Sequence, residues 1–118
     1  MEERKVNGKQ KLTNLSGDAI RVYQHLRRGQ KNATSRSFLT RVTGLEDRRI
    51  RRAVAELRSK GYPVCSIAAH PGGYWLSNDA DELKEFIVQL EIQRDYFGKA
   101  IKRLRQRLQE VENGKVRF

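Results

Sequence analysis

The sequence is short of several things that would point to particular chemistries. A single cysteine, Cys65, stands among 118 residues. No disulfide can form within the chain, so an oxidising compartment is not implied. One thiol is also too few for a zinc finger or an iron–sulfur cluster. The two histidines, His25 and His70, lie in different elements without a neighbouring nucleophile pattern. Gly72-Gly73 is not followed by the Lys and Ser/Thr of a phosphate-binding loop. Asp79, Asp81 and Glu82 read as helix-start residues, not as a metal site. No catalytic set emerges, and neither enzymatic activity nor a cofactor or metal is expected. Apolar runs are short as well. None is long enough to span a bilayer, and the first 15 residues lack the apolar stretch of a secretory signal. A cytoplasmic protein without a membrane partner is expected.

Acidic residues are scarce too. Lys and Arg number 25 against 14 Asp and Glu, a formal charge of +11. Such an excess attracts polyanions, with nucleic acid the leading partner and an anionic membrane surface second. Hydrophobic residues make up 37% of the chain, enough for one modest core with an extension beyond it.

Residues 1–15 are polar and mixed in charge, and a flexible basic arm is expected there. A first helix is expected over 16–28, with Ser16 or Asp18 at its start and Gly29 at its end. Ile20, Tyr23 and Leu26 fall at helical spacing, beside Ala19 and Val22. A short second helix is expected over 35–43, capped by Thr34. Its apolar stripe would be Phe38, Leu39 and Val42, and Gly44 would end it. A third helix is expected over 47–60, where Ile50, Val54 and Leu57 line one face. Gly61 and Pro63 stop it.

Two helices hinged at Gly44 have the proportions of a helix-turn-helix. Projection at 100° per residue sends Arg48 and Arg52 directly away from the apolar face, with Arg49 and Ser59 flanking them. Arg51 and Arg58 fall nearer the core boundary. Residues 46–60 carry six basic side chains against three acidic ones. Glu56 is expected to pair with Lys60 or Arg52, or to read a cytosine amino group. A ridge of guanidinium groups suits the major groove, since Arg donates two hydrogen bonds to guanine or grips phosphate. Ser35, Arg36 and Ser37 at the start of the second helix are candidates for phosphate contact.

Beyond Gly61 the period changes. Residues 62–67 read as a strand, 70–73 as a turn tip, and Tyr74-Trp75-Leu76 as a second strand. Of the two aromatics, Trp75 is expected in the core, and Cys65 is expected to be a small buried residue. The order helix, helix, helix, hairpin resembles the winged-helix family of DNA-binding domains over residues 16–77. The resemblance is carried by Thr43-Gly44-Leu45, by the helix 47–60, by Gly61-Tyr62-Pro63-Val64 and by Gly73-Tyr74-Trp75-Leu76. The pair "KGYPV…GGYWL" is particularly similar to small winged-helix proteins of phages and prophages. The resemblance implies a third helix in the major groove and a hairpin loop, residues 68–73, against a flanking groove. That loop departs from the family by holding no Lys or Arg. Only His70 is available to DNA there, so the wing is expected to be mainly structural.

Within the segment 78–112 one helix is expected, capped by Asn78 or Asp79 and running from near Ala80 to about Glu112, a length of about 50 Å. From Leu83 onward its apolar positions follow a four-three rhythm: Leu83, Ile87, Leu90, Phe97, Ile101, Leu104, Leu108 and Val111, interrupted only by Arg94. This is a coiled-coil-like seam. Ile87, Arg94, Ile101 and Leu108 take the a positions. Leu90, Phe97, Leu104 and Val111 take the d positions. Arg105 and Arg107 of two parallel chains would lie near each other, and an antiparallel dimer or a helical hairpin with another protein stays open. Residues 113–118 form a tail.

The expected architecture is therefore mostly α with a small β-hairpin: a winged helix-turn-helix followed by a long C-terminal oligomerisation helix. The expected function is sequence-specific binding of double-stranded DNA by a homodimer or higher homo-oligomer, as a transcriptional regulator or phage-type DNA-transaction factor. The alternative is an assembly adaptor, such as a DNA-packaging or replication accessory subunit, whose winged helix docks a protein partner.

Overall fold

A computed structural model describes residues 14–67 and 72–114. The described chain is mostly helical, with one two-stranded antiparallel hairpin and a long C-terminal helix. The elements are α1 (Gly17–Tyr23), a 3-10 turn (Gln30–Asn32), α2 (Arg36–Thr43), α3 (Asp47–Ser59), β1 (Val64–Ile67), β2 (Gly73–Leu76) and α4 (Ala80–Glu112). The chain divides into two compact units, Met1–Leu83 and Lys84–Phe118.

The core of the first unit comes from the apolar stripes of three short helices. Ala19 and Val22 of α1, Leu39 of α2, and Ile50, Ala53, Val54 and Leu57 of α3 are all buried. Leu45, behind the α2–α3 turn, joins them, as do Tyr62 and Val64 at the hairpin's entry. Leu15 is buried as well, and the Asn14 carbonyl accepts a hydrogen bond from Lys60 Nζ at 2.9 Å. Asn14 and Leu15 thus belong to the packed unit although they fall in the segment expected to be a loose arm, because Leu15 supplies apolar area to the core.

Each helix end has a physical cause. Ser16 caps α1, its Oγ accepting from the Ala19 amide at 3.1 Å. The helix ends at Tyr23, five residues before its expected limit. The backbone beyond it is recruited elsewhere: the Arg27 carbonyl accepts from the Leu76 amide at 2.8 Å, and the Gly29 amide donates to the Leu76 carbonyl at 2.9 Å. Ser35, not Thr34, caps α2, its Oγ accepting from the Phe38 amide. Thr34 is buried and exchanges two backbone hydrogen bonds with Tyr74, at 2.8 and 2.9 Å. Val42 is exposed, so the buried stripe of α2 narrows to Leu39 with half-buried Phe38 beside it. Gly44 turns the chain out of α2 at φ 73°, a left-handed conformation that suits glycine. The Thr43 hydroxyl completes that turn by donating to the Leu39 carbonyl and accepting from the Leu45 amide.

The hairpin pairs Val64 with Leu76, Cys65 with Trp75, Ser66 with Tyr74 and Ile67 with Gly73. Both Tyr74 and Trp75 are buried, where only Trp75 was expected inside. Tyr74 joins the main cluster. The Trp75 indole instead donates to Glu82 Oε1 at 3.0 Å, and Ser77 Oγ donates to the same oxygen at 2.7 Å. Gly73 is required by closeness of approach. A Cβ at that position would lie 2.7 Å from the Thr34 carbonyl oxygen. Cys65 is fully buried, and burial pushes its thiol pKa upward.

Helix α4 is continuous over 33 residues, matching its expected bounds. Asp79 Oδ1 accepts from the Asp81 amide at 2.9 Å, which fixes the first turn. No described helix is long and apolar enough to cross a membrane.

Candidate nucleic-acid interface

The face of α3 opposite its apolar stripe holds the candidate site. Packing of Ile50, Val54 and Leu57 fixes the rotation of the helix about its own axis. That rotation leaves Arg48, Arg49, Arg51, Arg52 and Ser59 at the surface. Their surroundings differ, and the differences sort them.

Arg49 is tied down. Its Nε and Nη2 donate to the two carboxylate oxygens of Asp18 on α1, at 2.9 and 2.8 Å. This fork holds α1 against α3. The same hydrogen bonds hold the Asp18 carboxyl below its ordinary pKa. Arg58 is similarly employed, donating to the Val64 carbonyl at 2.7 Å and to Ser66 Oγ at 3.1 Å, which docks the hairpin on α3. Glu56 does not pair with Arg52 or Lys60 through a salt bridge. Its carboxylate accepts from the Ser16 hydroxyl and the Ser16 amide, both at 2.7 Å. These two bonds lower its pKa and cap the start of α1. Glu56 is therefore a structural partner of α1 and is not aimed at a base.

Arg48, Arg51 and Arg52 are held less firmly. Arg48 is 76% exposed and leans on Glu46 at 3.3 Å. Arg51 meets Asp47 at 3.0 Å. Arg52 is exposed and forms no ion pair among the described residues. Surface pairs such as Arg48–Glu46 contribute only about 0–1 kcal/mol, so a phosphate or a base edge can replace them.

The start of α2 is brought to the same place through Asp47. Arg36 Nη1 reaches Asp47 Oδ2 at 3.4 Å, on the oxygen that Arg51 also contacts. One carboxylate thus gathers Arg36 of α2 and Arg51 of α3. Ser37 is exposed beside Arg36, and its Oγ lies 3.2 Å from Ser35 Oγ. The Ser35 hydroxyl is occupied as the α2 cap. Ser59 donates to the Glu56 carbonyl at 2.7 Å at the far end of α3. His70 lies outside the described residues. Asp47 was not foreseen as an organiser of the site, although its spacing four residues before Arg51 was a signal for that pair. The described residues hold no cluster of three or more His, Cys, Asp or Glu able to bind a metal.

The seam residues of α4 form a second candidate surface. Leu83 is partly buried, and Ile87, Leu90, Phe97, Ile101, Leu104, Leu108 and Val111 are all exposed. Arg94 is exposed too, near Asp95 at 3.5 Å. Sequence reasoning missed Val88, Ile92 and Tyr96, three exposed apolar side chains at four-residue spacing on the opposite face of the helix.

No protein-family model, curated protein or solved structure was found to match this chain.

Proposed function

We propose that the protein binds double-stranded DNA in a sequence-specific manner, as a transcriptional regulator or DNA-transaction factor that acts as an oligomer. The observation that carries this reading is the outward ridge of Arg48 and Arg52 on α3. The opposite face of that helix is locked by the core, so the ridge is held rigidly in solvent, and Arg52 forms no ion pair within 4 Å among the described residues. In this reading α2, the turn at Gly44 and α3 are a helix-turn-helix. The β1–β2 hairpin, bridged to Thr34, is the wing of a winged helix. Helix α3 enters the major groove, where Arg48 and Arg52 contact bases or phosphates. Arg36, Ser37 and Arg51 hold the flanking backbone. Arg49, bound to Asp18, keeps α3 in place and is not counted among the reading residues.

The test begins with selection of bound sequences from a random duplex pool. The enriched duplex is then titrated against the protein, Arg48→Ala, Arg52→Ala and the double variant, with helicity followed by circular dichroism. Each replacement is expected to weaken binding by about 1–3 kcal/mol without loss of helix. Each phosphate contact is expected to contribute about 0.9 to the slope of log affinity against log salt. Unchanged affinity in the double variant would reject the reading. No enrichment from the pool, together with salt-insensitive capture of a protein, would favour the adaptor role instead.

The exposed seam of α4 supports self-association as the source of the oligomer. Two heads double the phosphate contacts and read two half-sites.

A further inference from the structure

We infer that two copies of α4 pair antiparallel, in one register, with Gly98 and Ala100 at the crossing point. This deepens, and rests on, the reading of α4 as a self-association surface. What it adds is direction and register, and both are argued from charge.

Charge along α4 is divided between its two halves. Residues 80–98 carry five acidic side chains against two basic ones, and residues 99–112 carry five basic against two acidic. A parallel pair sets like half against like half. It also places Arg94 opposite its own copy in the seam, an arrangement that desolvates two like charges against each other. An antiparallel pair sets each acidic half on the basic half of its mate.

Antiparallel pairing places a positions opposite d positions, and four alignments one heptad apart achieve this with six or more layers; one of them sets Glu91 beside Glu91 of the second copy, which leaves three. In the central alignment Ile87 faces Val111, Leu90 faces Leu108, and Phe97 faces Ile101. Arg94 then meets Leu104, with its head free to reach solvent along its stem. The flanking positions decide between the three. In the central alignment Lys84 flanks Glu112 of the second copy, and Glu91 flanks the second copy's Arg105. The two-fold repeats both pairs, so every charged e position is matched by its opposite. Shifting one heptad in one direction brings Lys84 against Arg105. Shifting in the other direction brings Glu91 against Glu112. Only the central register avoids like charges.

The same register explains a residue that is otherwise out of place. Gly98 in mid-helix costs about 1 kcal/mol relative to Ala. At the two-fold of the central alignment Gly98 faces Gly98 of the second copy on one side of the seam, and Ala100 faces Ala100 on the other. Nothing lies within 4 Å of a Cβ built at Gly98 in the single chain, so no contact within the chain demands glycine there. Small residues on both flanks let the two backbones approach closely where the helices cross.

The experiment uses the full-length chain with Cys65→Ala, its fold checked by circular dichroism. Ile87→Cys and Val111→Cys proteins are oxidised separately and as a mixture, beside sedimentation equilibrium of the chain without added cysteines. A dimer mass with a disulfide only in the mixture is the expected result. A dimer in which Ile87→Cys crosslinks to itself would overturn the antiparallel inference and leave self-association standing. A monomer at about 100 μM would overturn both. A charge swap reads the register separately. Glu91→Arg is expected to raise the dimer dissociation constant about tenfold, since two pairs become repulsive, and Glu91→Arg with Arg105→Glu is expected to restore most of it. Restoration fails in a parallel pair or a shifted register, where Glu91 and Arg105 do not meet, and that failure would overturn the register.

Discussion

Helices α3 and α4 are built to a similar pattern, with an apolar stripe at heptad-like spacing on an otherwise strongly charged helix. In α3 the chain covers its own stripe: Ile50, Val54 and Leu57 are 0–2% exposed. In α4 it does not, and Ile101, Leu104 and Leu108 are 51–67% exposed. The comparison separates two uses of one pattern. A stripe covered from within fixes how a helix is turned and therefore which side chains it presents. A stripe left open fixes no such rotation from within the chain. The same contrast holds for charge. Around α3 the acids Asp18 of α1, Glu46 and Asp47 sit against particular arginines and sort them into more and less firmly held. On α4 the acids and bases are separated along the helix axis, the division on which the proposed antiparallel pairing rests.

The largest effect that breaks the comparison is a matched pair of truncations. Leu57→Ala removes a fully buried side chain from the first unit and is expected to cost about 2–5 kcal/mol in urea denaturation. Leu104→Ala removes an equally large side chain from the open seam. It is expected to leave the near-ultraviolet signal of Trp75 intact while lowering the mass seen in sedimentation. Equal destabilisation of the Trp75 signal by both variants at concentrations where the chain is monomeric would contradict the distinction drawn between the two stripes.

A smaller effect tests how the first unit holds its hairpin. Gly73→Ala forces a Cβ to within 2.7 Å of the Thr34 carbonyl, at a backbone φ of 131° that L side chains rarely adopt. A loss of about 2–3 kcal/mol is expected. Gly61→Ala, with positive φ but open space around it, is expected to cost less, about 1 kcal/mol. Equal costs at the two sites would mean that the close passage of β2 over Thr34 is unimportant.

A third prediction concerns the sorting of arginines. Asp47→Ala releases Arg36 and Arg51 and removes a negative charge from the proposed DNA face. DNA affinity at low salt is expected to rise several-fold, about 1 kcal/mol, and to rise for unrelated sequences as well as the selected one. A fall in affinity with the helix content unchanged would place Asp47 in the positioning of those arginines instead.

How far the sequence disclosed this arrangement depends on the distance between interacting residues. The bounds of α3 and α4, the turn at Gly44 and the outward position of Arg48 and Arg52 all follow from periodicity and from glycine's conformational freedom, which act over a few residues. The early end of α1 was hidden because Arg27 and Gly29 are claimed by Leu76, far along the chain. Thr34 looked like a cap because its sequence neighbours permit one, yet its backbone is used by Tyr74. Arg49 looked interchangeable with Arg48 in a projection of α3 alone. Its partner, Asp18, is on another helix and becomes visible only when α1 is packed. The charge division within α4 was legible throughout, because it needs nothing but the order of residues along one continuous helix.

The smallest effect sharpens the contrast through pH. Two carboxylates hold α1 onto α3: Asp18, whose pKa is lowered chiefly by its hydrogen bonds from Arg49, and Glu56, whose pKa is lowered chiefly by its hydrogen bonds from Ser16. In both, the folded state binds the proton less readily than the unfolded chain does. Their contribution to stability is therefore complete above the ordinary carboxylate range, and it declines as pH falls through that range toward the depressed folded values. Stability of the first unit is expected to be level from neutral pH down to that range and to drop below it. Glu56→Gln is expected to flatten part of the drop while lowering stability at neutral pH by about 1 kcal/mol, because a neutral amide accepts the Ser16 amide less strongly and faces the start of α1 without a charge. The Arg94–Asp95 pair joins neighbouring residues of α4 and ties no second helix to it. Asp95→Asn is accordingly expected to leave the acid limb of the Trp75-monitored transition unchanged. If Asp95→Asn flattened that limb as much as Glu56→Gln does, the acid sensitivity would belong to net charge and not to the contacts that lock α1 against α3.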